Sequence, residues 1–155
     1  MKIFIGADHR GFALISNLKP ACRQGRSQIS KWGYKIEDLG TDSAESADYP
    51  LIAERVTREV VKNPDSLGIL ICGSGQGMAV ASNKIKGSRA GVGINPEATK
   101  AGREDDHINI LCLSADFVDE KTNLEIIESF LNATPKTDER YLRRLSQITK
   151  RENQS

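Results

Sequence analysis

Neither charge of one sign nor cysteine is plentiful in this chain of 155 residues, and each shortage removes a class of function. Lys plus Arg number 22 against 21 Asp plus Glu, a formal charge of +1. Proteins that draw affinity from nucleic-acid phosphates need a marked basic excess, so no nucleic-acid partner is expected. No apolar run approaches the roughly 20 residues of a membrane span; Leu67-Gly68-Ile69-Leu70-Ile71-Cys72 is typical of the longest, and no membrane partner is expected. The apolar run after Lys2 is broken by Asp8, which does not read as a signal peptide. The three cysteines, Cys22, Cys72 and Cys112, are widely spaced and form no CxxC pair, which argues against a disulfide framework or a cysteine zinc site. With only two histidines in addition, no metal centre is expected, and the default compartment is a reducing cytoplasm.

What is present is an alternation. Apolar residues make up 38% and charged residues 28%, the balance of a globular protein, and the length suits one domain over residues 1–149. The polar tail, 150–155, is expected to fray. Strands are expected at Lys2–Gly6, Tyr34–Asp38, Leu67–Cys72, Arg89–Ile94 and Asn109–Leu113. Helices are expected at Phe12–Lys31, Pro50–Lys62, Gly77–Lys84, Pro96–Arg103, Glu120–Leu131 and Asp138–Thr149. In the second of these, Ile52, Val56 and Val60 recur at spacing four, with Glu54, Arg55, Arg58 and Glu59 opposite. Strand and helix alternating in this way imply an α/β fold, a three-layer α/β/α sandwich around a five-stranded parallel sheet. Right-handed crossovers gather the strand C-terminal ends on one edge, where such sheets bind ligands.

The strongest local signal lies on that edge: Cys72-Gly73-Ser74-Gly75-Gln76-Gly77, between a central strand and a helix. Closely spaced glycines expose backbone N–H groups, and the following helix adds its positive end, so the loop suits an anion. The spacing is not the dinucleotide fingerprint GxGxxG, because Met78 stands where the third glycine belongs, and no GKS or GKT follows. The alternative is a tight turn with no ligand. Cys72 at its mouth is a candidate base or nucleophile, since a helix N-terminus favours a thiolate; the alternative is a small hydrophobe closing a buried strand. Cys112 reads as core, and Cys22 carries no reading. Asp8-His9 after the first strand can hold a hydroxyl and a phosphate, or Asp8 can cap a helix. Asp48-Tyr49-Pro50 reads as a helix start with Pro50 first. Arg140, Arg143 and Arg144 share one helical face, either solvated or gathered on a phosphate.

Together these motifs resemble the ribose-5-phosphate isomerase B family, which includes the galactose-6-phosphate isomerase subunits. The matching residues are Gly6-Ala7-Asp8-His9-Arg10-Gly11-Phe12, Asp38-Leu39-Gly40, Asp48-Tyr49-Pro50, Ile71 through Gly77, Ala81-Ser82-Asn83-Lys84, Arg89-Ala90 and Arg140 through Arg144, in order over roughly residues 2–148. The resemblance implies a Rossmann-like fold and an aldose–ketose isomerase of a sugar phosphate. It implies a cis-enediol route without metal or other cofactor, and a homodimer with shared sites. Ribose 5-phosphate and ribulose 5-phosphate are the expected substrates; the alternatives are a hexose 6-phosphate or a binding protein without turnover. By the same resemblance Cys72 is the base and Ser74 assists. The N–H groups of Gly73, Ser74, Gly75, Gln76 and Gly77 stabilise the enediolate, and Tyr49 lines the substrate site. Asp8 binds hydroxyls, while His9, Arg140 and Arg144 bind phosphate.

Three departures stand out. Where the family places a ring-opening histidine followed by an asparagine, this chain has Asp105 and Asp106, with His107 next. Either Asp105 or His107 is expected to replace the histidine, and adjacent acids are expected to raise the pKa of Asp105. Where the family has a further phosphate-binding arginine after the last strand, this chain has Asp116, a carboxylate expected to repel phosphate. Extra residues relative to the family also fall around Pro20–Arg26.

Overall fold

The innermost strand of the sheet, β3 (Ser66–Cys72), is buried along its whole length. It pairs on one side with β1 (Lys2–Ala7) and on the other with β5 (Ile110–Ser114). Outside these lie β2 (Lys35–Asp38) beside β1 and the short β4 (Ala90–Val92) beside β5, giving the order β2-β1-β3-β5-β4, parallel throughout. The structure, a computed structural model, describes residues 1–18, 33–41, 43 and 45–154. The expected helix from Phe12 to Lys31 is described only as α1 (Phe12–Leu18); its remainder, Cys22 and the extra stretch at Pro20–Arg26 lie outside the described residues.

Alternation along the strands divides the core into two layers. Ile3, Ile5, Leu67, Ile69, Ile71, Leu111 and Leu113 face Leu14 and Ile15 of α1 and Ile126, Ile127 and Phe130 of α5 (Glu120–Asn132). Phe4, Leu70, Cys72, Ile110 and Cys112 face α2 (Tyr49–Lys62) and α3 (Gln76–Ser82). The spacing-four stripe of α2 is what it buries: Ile52, Val56 and Val60 are all in the core. Each such side chain taken from water contributes about 1.5–3 kcal/mol. α4 (Pro96–Asp105) starts from Asn95, whose side chain accepts from the Ala98 N–H at 2.8 Å. α6 (Glu139–Glu152) closes the chain, burying only Tyr141 in the described structure.

Several boundaries differ from expectation. α2 begins at Tyr49, so Pro50 is its second residue, and β4 spans three residues where six were expected. The tail does not fray from Lys150: α6 continues to Glu152, whose carboxylate accepts the Gly87 N–H at 2.7 Å. That bond, to a residue 65 positions away, is invisible to local sequence pattern. Among the described residues no helix is long and apolar enough to cross a membrane.

Candidate active site

Because β1 and β5 flank β3, the turns after all three strands meet at one edge. Cys72 ends β3 and is 5% exposed. The turn after it reverses through Gly75 at φ +76°, a left-handed conformation that costs a side-chain-bearing residue energy. This turn aims the Gly75 N–H at Cys72 Sγ, 3.2 Å away. The loop is braced from both sides. Asp8 N–H donates to the Ile71 carbonyl (3.1 Å), Ala115 N–H to Cys72 (2.9 Å), and the Ser114 hydroxyl to Gly73 (2.7 Å). With these carbonyls occupied, the first turn of α3 is left with N–H groups that have no intrahelical acceptor. Ser74 Oγ accepts the Gln76 N–H at 3.3 Å.

Asp8 is buried, and its Oδ1 accepts the N–H groups of Arg10 (2.9 Å) and Gly11 (3.1 Å), so it holds the turn that leads into α1 rather than capping the helix itself. Its Oδ2 has no partner among the described residues. His9 Nδ1 accepts from the Ala47 N–H at 3.3 Å, which leaves Nε2 as the protonated nitrogen of the neutral ring. Tyr49 lies against Gly77: a Cβ built there would stand 2.8 Å from two ring carbons and 3.2 Å from the hydroxyl. Cys72, Gly73 through Gly77, Asp8, His9 and Tyr49 are therefore brought together.

Asp105, Asp106 and His107 are not brought to that edge. In a parallel sheet each crossover helix runs back toward the strand N-terminal ends, and these residues end α4 there. Asp106 borders a cleft with Arg89, Ala90 and Ile108, all at the starts of β4 and β5. Asp105 Oδ1 is 2.7 Å from Lys136 Nζ. That hydrogen bond is the main reason its carboxyl is held below the usual carboxylate range; desolvation opposes it, and the Lys136 charge, Tyr141 and Arg140 add to the lowering. The expected rise is thus reversed: the lysine counts for more than the neighbouring acids. His107 adopts φ +52°, and its Nε2 lies 2.7 Å from the Lys136 carbonyl. A carbonyl only accepts, so Nε2 carries the proton and Nδ1 keeps its lone pair. Arg140 donates to the Tyr141 hydroxyl at 2.5 Å and stacks over that ring; Arg144 is exposed.

The Ribose/Galactose Isomerase family profile matches residues 3–148. The chain belongs to the ribose/galactose isomerase family. It is accordingly an enzyme of the aldose–ketose isomerase class with a Rossmann-like sheet. It is 34% identical over 155 residues to the probable ribose-5-phosphate isomerase B of Mycoplasma genitalium, covering 99% of this chain and 97% of that one. It is 33% identical over 132 residues to the ribose-5-phosphate isomerase B of Escherichia coli, covering 85% and 84%. The crystal structure of the Mycoplasma genitalium enzyme with bound ribulose-5-phosphate superimposes with a TM-score of 0.90 at 34% identity, over 99% of this chain and 97% of that one.

Several motif residues of this isomerase are scaffold. Asn83 exchanges two hydrogen bonds with Ala90 (2.8 and 2.9 Å), tying α3 to β4, and Asn109 bridges the Arg89 N–H and the Gly87 carbonyl. One charged residue on the site edge was missed by the reading of roles from sequence: Arg10. Its guanidinium pairs with Asp116, Nη2 to Oδ2 at 2.5 Å, so Asp116 is not the isolated carboxylate its position implied. The strand order supplies the signal that could have found it, since it places the turns after β1 and β5 on either side of Gly73.

Proposed function

We propose that this chain interconverts ribose 5-phosphate and ribulose 5-phosphate through a cis-enediolate, with Cys72 as the base. The observation that carries the reading is the Cys72 thiol at the C-terminal end of β3 with the Gly75 N–H on its sulfur, in the glycine-rich loop that opens α3. It is supported by the ribulose-5-phosphate bound in the Mycoplasma genitalium structure. Cys72 as thiolate removes the proton from C2 of the open-chain aldose, and the electron pair moves onto the C1 oxygen. N–H groups of Gly73 to Gly77 take up that negative charge, a contribution typically worth about 2.7–4 kcal/mol per donor. A proton then passes from the C2 hydroxyl to the C1 oxygen, and the same thiol returns the carbon proton to C1 as the C2 oxygen becomes a carbonyl. Ser74 steadies the loop, Asp8 Oδ2 accepts a sugar hydroxyl, and His9 Nε2–H donates to the phosphate, with Tyr49 closing the side of the cleft.

Asp105, Asp106, His107, Arg140 and Arg144 serve a second copy of the chain, which completes the site as a homodimer. Two observations favour this. These residues lie at the opposite sheet edge from Cys72, and the apolar residues Leu142 and Ile148 of α6 and Val80 of α3 are exposed, as is Phe117 beside Asp116. Of the candidates for opening the sugar ring, His107 is favoured, because its Nδ1 has no partner among the described residues while Asp105 is ion-paired with Lys136. Measured kcat/KM values over pentose 5-phosphates and hexose 6-phosphates test the substrate. The reading expects ribose 5-phosphate to lead. A leading hexose 6-phosphate would assign another isomerase, and tight binding without turnover would assign a binding protein.

A further inference from the structure

The turns after β1 and β5 each send one charged side chain over Gly73. A Cβ built on Gly73 would stand 2.6 Å from Asp116 Oδ2 and 2.9 Å from Arg10 Nε, so the pair fills the space a side chain at 73 would take. Their backbones are fixed in place: the Asp116 N–H donates to the Gly73 carbonyl at 3.0 Å and the Arg10 N–H to Asp8 Oδ1 at 2.9 Å. Both side chains nevertheless reach solvent, Arg10 being 57% and Asp116 29% exposed, so the ion pair is weakly held. A guanidinium has five N–H donors, and among the described residues Asp116 is the one side chain that engages Arg10.

The geometry points to Arg10 as a phosphate-binding residue, with Asp116 as the positioning residue that holds the guanidinium beside Gly73 until a phosphate takes it. The assignment rests on the sugar-phosphate reading above. A dianionic phosphate meets the guanidinium fork with two parallel hydrogen bonds and carries more charge than a carboxylate, so it displaces Asp116. Once Arg10 has turned to the ligand, Asp116 faces an anion and opposes its binding. The two members of the pair therefore act on phosphate affinity in opposite directions. A pair that merely braced the loop would act in one direction.

The test is calorimetric titration with inorganic phosphate, beside KM and kcat for ribose 5-phosphate, on wild type, Arg10→Met, Asp116→Asn and the double variant. Arg10→Met is expected to weaken phosphate and raise KM by roughly tenfold or more, with a smaller change in kcat. Asp116→Asn is expected to tighten both by about two- to fivefold, and the double variant to fall between. Arg10→Lys, which keeps the charge without the fork, recovers part of the affinity and separates loss of binding from a fold defect. Equal weakening by both single substitutions, or no effect of Arg10→Met, overturns the assignment. If wild type binds phosphate through Arg10 yet turns over no ribose 5-phosphate, the substrate reading fails and Arg10 stands. Turnover with affinities indifferent to Arg10 does the reverse.

Discussion

Two thiols sit one strand apart in the same core layer, and their surroundings separate them. Cys112, inside β5, packs in an apolar layer, and burial pushes its thiol well up from the usual range, with the nearby Cys72 adding to the effect. Cys72 ends its strand with a backbone donor on the sulfur. Cys72→Ala is accordingly expected to lower kcat by about 10²–10⁴-fold with little change in melting temperature. Cys112→Ala is expected to leave kcat nearly unchanged and cost stability through the small cavity it opens. Steady-state kinetics and thermal unfolding on the two variants check this. Gly75→Ala tests the turn: the +76° φ and the Leu113 backbone 3.2 Å from a built Cβ predict a loss of at least about 1–2 kcal/mol in denaturant unfolding.

At the scale of elements, α6 is held by a clasp at its entry. Lys136 Nζ reaches Asp105 at 2.7 Å and Glu104 at 3.5 Å, its N–H donates to the Glu104 carbonyl, and its own carbonyl meets His107. The Asp105 carboxyl is held below its ordinary value, chiefly by the Lys136 bond, and the Lys136 ammonium is held above its own. A depressed carboxylate contributes stability above its unfolded pKa and loses it as pH falls through the folded one. The clasp is therefore expected to hold at neutral and mildly acid pH and to loosen only below the ordinary aspartate range. Amide hydrogen exchange along α6, measured against pH, checks this; Lys136→Met should remove the acid dependence by exposing α6 already at neutral pH. The clasp also marks the limit of what sequence could show. Strand positions, the α2 stripe and the cap at Asn95 were legible because periodicity and capping are local. The pKa direction of Asp105 and the extension of α6 to Glu152 were not, because Lys136 and Gly87 act on them from 31 and 65 positions away.

For the whole molecule, the candidate site was legible as a set of residue types but not as a place. Glycine spacing and strand-end position located the Cys72 loop, whereas Asp105, His107, Arg140 and Arg144 lie beyond the reach of that loop in a single chain. The proposed homodimer accounts for this, because an isologous interface carries the α6 face of each copy to its partner. Mixing Cys72→Ala with Arg144→Ala is expected to restore about one quarter of wild-type activity, because random pairing rebuilds one intact site in half of the dimers. No recovery after subunit exchange would place each site within one chain.

The central claim is that Cys72 moves a proton between the sugar carbons, and proton NMR of ribose 5-phosphate with the enzyme in deuterated water tests it most directly. The expected result is ribulose 5-phosphate formation with deuterium entering at the exchangeable carbon, both slowed by at least about a hundredfold in Cys72→Ala. Product and exchange at near wild-type rate in a folded Cys72→Ala variant would contradict it.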